Sequence, residues 1–311
     1  MPVIIEVSNL SKHYKDIKAV DNISFSVNQG EIYGFLGQNG AGKSTTIRML
    51  LTLIEPTSGS IKVFGHNLFT HRKEILRQVG AIIEKPDLYR YLTALENLSI
   101  FAKLSGIRLT RQQLLQHLEM VGLHSRADSK IKTYSQGMKQ RLGIAVALIH
   151  DPKLIILDEP TNGLDPQGIA DMRNLILRLS KEDGKTIFVS SHLLSEIEVI
   201  ADRMLILDKG KKIVEGAVSE LFDSSTTLVE VEVNNPLQVY EKLKSGSWIK
   251  NLKNHQNNTF IFELGKEEIP RLHVYLAGIG AEMSALRPRH SLEDYFLSLT
   301  TANQHVDSFA N

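Results

Sequence analysis

Nine residues constrain this chain more than any others. GQNGAGKST, Gly37–Thr45, is a glycine, four residues, then Gly-Lys-Ser, the pattern of a loop that wraps a phosphate. The apolar run Ile32, Tyr33, Gly34, Phe35, Leu36 precedes it as a buried strand would, and the periodic Thr46, Ile47, Met49, Leu50, Leu51 follows as a helix would. Gly37, Gly40 and Gly42 let the backbone curl so that consecutive amides, those of Gln38, Asn39, Ala41 and Thr45 among them, converge on one anion. The helix opening near Lys43 adds its positive end. Lys43 is placed for the β- and γ-phosphates, and the Ser44 hydroxyl for magnesium. The segment reads as a nucleotide site.

LIILDEP, Leu154–Pro160, reads as a parallel strand buried on both faces, ending in two acids. An acid at such a strand's carboxyl end lies beside the phosphate loop, at the crevice where these sheets bind ligands. That places Asp158 to hold hydrated magnesium and Glu159 to polarise a water. Between these elements lies TYSQGMKQR, Thr133–Arg141. Ser135 caps a helix whose expected inward face is Met138, Leu142, Ala145, Val146 and Ile149. A helix start exposing Ser135 and Gly137 is a second anion site; the segment alone favours a plain capped helix, and its position between the phosphate loop and LIILDEP shifts the reading to the anion site.

In this order the motifs resemble the ATP-binding subunit of an ABC transporter. YSQGMKQR resembles that family's signature, usually written LSGGQ; NGLDP, Asn162–Pro166, resembles its D-loop; His192 in VSSHLLSE resembles its switch histidine; and Tyr14 in KHYKDIKAV matches the aromatic that stacks on adenine. The likeness runs from about Val3 to about Leu221. It implies an α/β fold with a RecA-like core, a β-rich subdomain and a helical subdomain, with ATP and Mg²⁺ as ligands. It also implies a head-to-tail dimer, homodimeric or with a paired second ATPase, in which Ser135, Gln136 and Gly137 of one copy close over the γ-phosphate held by Lys43 of the other. Glu159 would be the base, His192 would sense the γ-phosphate, and Asp165 would contact across the dimer. Charge on the γ-phosphate favours closure and its hydrolysis releases it.

Two departures are visible. After the expected strand Val79–Ile83 the family carries a glutamine that reaches the metal; this chain has Glu84, which as a carboxylate is still a magnesium ligand. Within the family, the glutamate resembles the branch that exports peptide antibiotics such as bacitracin and lantibiotics. In the signature, Tyr134 stands for leucine and Gln136 for the second glycine. The resemblance therefore implies a motor for a separate multi-span membrane permease of the ABC-2 type, peripheral on the cytoplasmic face. The alternative is a soluble ABC ATPase working on ribosomes or DNA. Such proteins usually carry two cassettes or a long coiled-coil insertion, and neither is present.

Global properties fit. A net charge of +1 argues against a nucleic-acid surface spread over the chain, and the absence of cysteine excludes disulfides and metal–thiolate sites. No segment approaches the ~18 uninterrupted apolar residues of a membrane span, and MPVIIEVSNLSKHYK reads as an edge strand rather than a signal peptide.

The chain of 311 residues leaves room for a nucleotide-binding domain over 1–222 and an accessory domain over 223–311. Val3–Leu36 and Ser60–Phe64 are expected to be β-rich, and a helical subdomain is expected over about 86–134, with helices Leu95–Leu104 and Gln112–Val121 stopped by Gly122. Pro86–Leu98 is the candidate permease-docking surface, with Leu88, Tyr89, Tyr91 and Leu92 either as its exposed contacts or packed on the neighbouring helices. After a polar linker, Asp223–Thr227, the order is strand Leu228–Val233, helix Pro236–Leu243, strands near Trp248–Leu252 and Thr259–Leu264, helix Ile269–Ala277 and strand Ala281–Leu286. That βαββαβ order predicts a small α+β, ferredoxin-like layer. A last helix, Leu292–Leu299, and a loose tail complete the expectation.

Overall fold

The computed structural model describes residues 2–221 and 227–289, so the expected last helix Leu292–Leu299, the tail and most of the linker lie outside the described residues. The chain divides into two compact units, Met1–Val218 and Ser219–Asn311.

The first unit is built on a six-stranded sheet ordered Lys211–Ala217, Arg203–Asp208, Ile32–Gly37, Thr186–Ser191, Leu154–Asp158, Val79–Ile82. All but the first strand run parallel to their neighbours. Every residue of the three strands 32–37, 154–158 and 186–191 is buried, as continuous apolar runs covered on both faces should be. Because the strands are parallel, Gly37, Asp158 and Ser191 end at one edge of the sheet, and that edge carries the site. The strand Thr186–Ser191 lies between the phosphate-loop strand and the Asp158 strand. Asp158 is therefore one strand removed from the loop, not directly beside it.

A second sheet, of four strands, holds Val3–Tyr14 between Ile17–Asn28 and Ser58–Val63, antiparallel to both. The amino-terminal segment is thus an interior strand, and the edge position expected for it is corrected. Ile4, Ile5, Val7 and Leu10 are all buried, and pairing on both sides leaves the strand no open edge. Phe25 joins this sheet to the larger one, with ring centroids 5.7 Å from Phe35 and 6.1 Å from Phe188.

Three of the unit's helices pack on one another, the third also against the strand Val79–Ile82. Ala94–Leu104 and Arg111–Met120 each begin with a full capping box, Thr93 with Glu96 and Thr110 with Gln113. Gln136–Ala147 is capped by the Ser135 hydroxyl, which accepts from the Met138 amide. Its burial departs from the expected single face. Met138 and Val146 are only half-buried while Gln140, Gly143, Ile144 and Ala147 are buried, because the strand Val79–Ile82 packs on one side and the two capped helices on another. No described helix is long and apolar enough to cross a membrane.

The second unit is a four-stranded antiparallel sheet ordered Leu252–Gln256, Thr259–Leu264, Thr227–Val233, Met283–Arg289, with helices Pro236–Lys244 and Ile269–Gly278. Val229, Val231, Phe260 and Phe262 meet Leu243, Leu272 and Leu276 in one core. The segment expected as a strand near Trp248 is instead a 3-10 turn, Ser247–Asn251, with the strand starting at Leu252. Trp248 turns inward to pack against this core, so its strand propensity reflects burial rather than extended pairing.

Candidate functional site

The loop after Ile32–Gly37 curls as its glycines require. Gly40 and Gly42 have φ of +83° and +109°, and a Cβ at Gly42 would lie 2.4 Å from the Ala19 carbonyl oxygen, so no other residue fits there. The helix Lys43–Leu50 starts directly after it. Gln38, Asn39, Gly40, Gly42, Lys43, Ser44 and Thr45 line a cavity of about 430 Å³, together with Ile17, Lys18, Ala19, Glu159 and Lys209. The Lys43 ammonium is only 5% exposed and donates to the Gly37 and Gln38 carbonyls at 2.5 and 3.2 Å. It also stands 3.2 Å from Glu159 Oε1.

Glu159 follows its strand in the left-handed region, φ +51°, a conformation costly for a residue with a side chain and concentrated at functional sites. The turn aims the carboxylate at two partners at once, Lys43 through Oε1 and His192 Nδ1 through Oε2 at 2.7 Å. Sequence reasoning brought these three residues to one edge but did not foresee that a carboxylate and a buried ammonium would pair. It also missed Ser190. Its hydroxyl donates to Asp158 Oδ1 at 2.6 Å and accepts from the Glu159 amide at 3.0 Å, fixing both acids. Glu196 was missed as well; buried, it accepts from Thr161 and Ser191 and so ties the Glu159 turn to the His192 turn. The signal for both was the run of polar residues closing an otherwise apolar strand in VSSHLLSE.

Asp158 is 1% exposed, and its Oδ2 has no hydrogen-bond partner. A buried carboxylate oxygen left in this way fits a cation. Ser44 lines the cavity, and Asp158 lies outside its lining. Glu84 is 64% exposed, bound to Arg48 Nη2 at 2.8 Å and, like Asp158, absent from the cavity lining. Exposed pairs contribute about 0–1 kcal/mol, so Glu84→Gln is expected to leave ATP affinity nearly unchanged in a calorimetric titration. A large loss would return Glu84 to the metal. Tyr14 also lies outside the lining, about half-exposed with the Lys12 ammonium 5.0 Å from its ring centroid.

Ser135, Gln136 and Gly137 form one wall of a separate cavity of about 370 Å³, whose other wall is Gly163, Leu164, Asp165 and Gly168. Asp165 caps the helix Pro166–Lys181 by accepting from the Gly168 amide at 3.0 Å. A Cβ at Gly137 would meet nothing nearer than Leu164 at 3.8 Å, so packing within the chain does not demand a glycine there.

Residues 20–162 match the ABC transporter family. Over 96% of this chain and 98% of the relative, the sequence is 44% identical to a bacitracin transport ATP-binding protein of Bacillus licheniformis. The chain belongs to the ATP-binding subunits of ABC transporters. It is also 41% identical to a lantibiotic transport ATP-binding protein of Streptococcus pyogenes, over 77% of this chain and 99% of that one. Among solved structures, the dimeric post-hydrolysis state of the ATP-binding cassette MJ0796 with ADP and Pi is 28% identical with a TM-score of 0.63, covering 69% of this chain and 99% of that one. This ABC subunit is therefore a nucleotide-binding ATPase.

The ABC subunit's departures from the family signature have local causes. Tyr134, in the place of leucine, is buried, and its hydroxyl donates to the Arg126 carbonyl at 2.7 Å; burial pushes the phenol's pKa up, so it stays a donor. In the segment Pro86–Leu98, Tyr91 is 80% exposed and Tyr89 about half, but Leu88 and Leu92 are half-buried. The fully buried Asn97 holds this loop by accepting from the Tyr89 amide and donating to the Tyr89 and Thr93 carbonyls. A rigid loop thus presents two tyrosines, with the leucines serving as its underside.

Proposed function

We propose that this chain is the motor of an exporter. It works as a dimer, homodimeric or with a paired ATPase, on the cytoplasmic face of the membrane, driving a separate multi-span permease for a peptide antibiotic. The observation that carries the substrate class is the extent of the likeness. The bacitracin transport protein matches 96% of this chain, and so includes its carboxyl-terminal α+β unit, whereas the lantibiotic protein matches 77%. A bacitracin-like peptide is thereby favoured over a lantibiotic. A net charge of +1 gives no support to a nucleic-acid partner.

In this reading Gly37–Thr45 wraps the phosphates and Tyr14 stacks on adenine. Lys43 leaves Glu159 for the β- and γ-phosphates as ATP enters. Ser44 and Asp158 hold a magnesium ion, which when bound offsets charge on those phosphates. Glu159 then takes a proton from the water whose oxygen bonds to the γ-phosphorus as the bond to the bridging oxygen breaks. His192 keeps the Glu159 carboxylate oriented and contacts the γ-phosphate. Ser135, Gln136 and Gly137 of a second copy close over that phosphate from across the dimer, with Asp165 beside them. The open space around Gly137 supports this, since a glycine not required by its own chain leaves room for a ligand's close approach.

The test uses the tagged Glu159→Gln chain, with membranes of the native host solubilised in ATP. A multi-span protein is expected to co-purify in stoichiometric amount, and deletion of the gene is expected to sensitise the host to bacitracin. Ribosomes or DNA without a membrane protein would overturn the exporter reading.

A further inference from the structure

We infer that Lys209 is a further nucleotide-binding residue, supplying a second cation to the polyphosphate from a turn hydrogen-bonded to the phosphate loop. The inference rests on the cavity being the ATP site. Lys209 lines that cavity with Gly40, Gly42, Lys43, Ser44 and Thr45. It sits on the two-residue turn joining Arg203–Asp208 to Lys211–Ala217, where Asp208 pairs with Lys211. Both turn residues have positive φ, +44° at Lys209 and +79° at Gly210, the arrangement of a type I′ turn, whose first position favours asparagine, aspartate or glycine. A lysine there is a poor turn former. The chain accepts backbone strain to place a long cationic side chain at the cavity, and strain of this kind collects at ligand sites.

The turn is also built into the phosphate loop. The Gly210 amide donates to the Ala41 carbonyl at 2.9 Å, and the Gly210 carbonyl accepts from the Asp21 amide at 2.8 Å. Lys209 is therefore held in fixed relation to the backbone that wraps the phosphates. Lys43 stands 3.2 Å from Glu159 in the same cavity, and Lys18 lies 3.7 Å from Asp21; a polyphosphate of several negative charges can draw on more than one lysine. A cation on this turn would act on ATP and ADP alike, because it approaches from the side of Ile17–Ala19 rather than from Glu159, where the γ-phosphate is attacked.

The turn preference supplies the test. Lys209→Asn installs a favoured turn residue and removes the ammonium, and the thermal midpoint of the nucleotide-free chain should show the variant folded. Its affinity should fall roughly tenfold, the loss of about one charge-assisted hydrogen bond, for Mg·ADP and also for ATP with magnesium withheld to prevent turnover. Lys209→Arg should restore most of the affinity, and binding to the asparagine variant should weaken less steeply with added salt than binding to the wild type. Full-length wild type, both variants and Lys43→Ala are titrated side by side. If Lys209→Asn binds ADP as tightly as wild type while Lys43→Ala does not bind, the ATP site stands and the role of Lys209 falls. If wild type binds neither nucleotide, both fall.

Discussion

Glu159→Gln is expected to cut ATP turnover by roughly 100- to 10,000-fold, the range that a positioned general base contributes, while ATP binding persists. The geometry adds two expectations. In the nucleotide-free chain the Lys43 ammonium, 5% exposed, has the Glu159 carboxylate as its counter-charge at 3.2 Å. Removing one partner of a buried pair costs up to about 3–5 kcal/mol. The glutamine keeps an acceptor oxygen and Lys43 keeps two backbone carbonyls, so a loss of ~1–2 kcal/mol and a lowered melting temperature are expected without ATP. With ATP the deficit should close, because the phosphate replaces the missing charge and binding stabilises the folded state. ATP affinity should be at least that of wild type, since Lys43 no longer has to leave a carboxylate and no carboxylate faces the γ-phosphate. The variant should accumulate as an ATP-bound dimer in sizing chromatography. Turnover near the wild-type rate would remove Glu159 from the role of base.

The curl of the Gly37–Thr45 loop was legible because its chemistry forces a short pattern. A loop that wraps phosphate needs Gly42 where φ is +109° and the Ala19 carbonyl crowds any Cβ, and that demand survives in one sequence. The capped helices were legible for a similar reason, through Thr93 with Glu96 and Thr110 with Gln113. The relations between strands were not. That Thr186–Ser191 inserts between the two motif strands is a fact of sheet order, and only with that order does Ser190 become the residue bonded to both acids. The interior place of Val3–Tyr14 was hidden likewise, because an edge strand and a central strand of a half-covered sheet carry the same alternation. Glu84 shows a different limit. Its position along the chain is where the resemblance expects a metal ligand, and the contact its carboxylate makes is with Arg48, a residue 36 positions away. Trp248 shows the last: a large aromatic marks burial, and burial alone does not separate a strand from a 3-10 turn.

Lys43→Ala is expected to act on binding where Glu159→Gln acts on turnover. Each charge-assisted hydrogen bond from the ammonium to a phosphate oxygen contributes about 1.5–3 kcal/mol, so losing contacts to two phosphates should weaken ATP about 100-fold or more. ADP, with no γ-phosphate, should lose less than ATP, and that difference separates a direct contact from a collapsed loop. The empty chain should suffer too. The Gly37 and Gln38 carbonyls lose their donor and Glu159 loses its ammonium, leaving His192 as its remaining partner. The two substitutions therefore form a cycle in which only the pair is shared. If the 3.2 Å contact carries energy, Glu159→Gln should destabilise the Lys43→Ala background by much less than it destabilises wild type, or even stabilise it, since the carboxylate it removes has by then lost its ammonium counter-charge. Equal costs in the two backgrounds would mean that the lysine is held by its backbone carbonyls alone. ATP would then draw Lys43 from the loop and not from the base, and the release of Glu159 would no longer be tied to nucleotide entry.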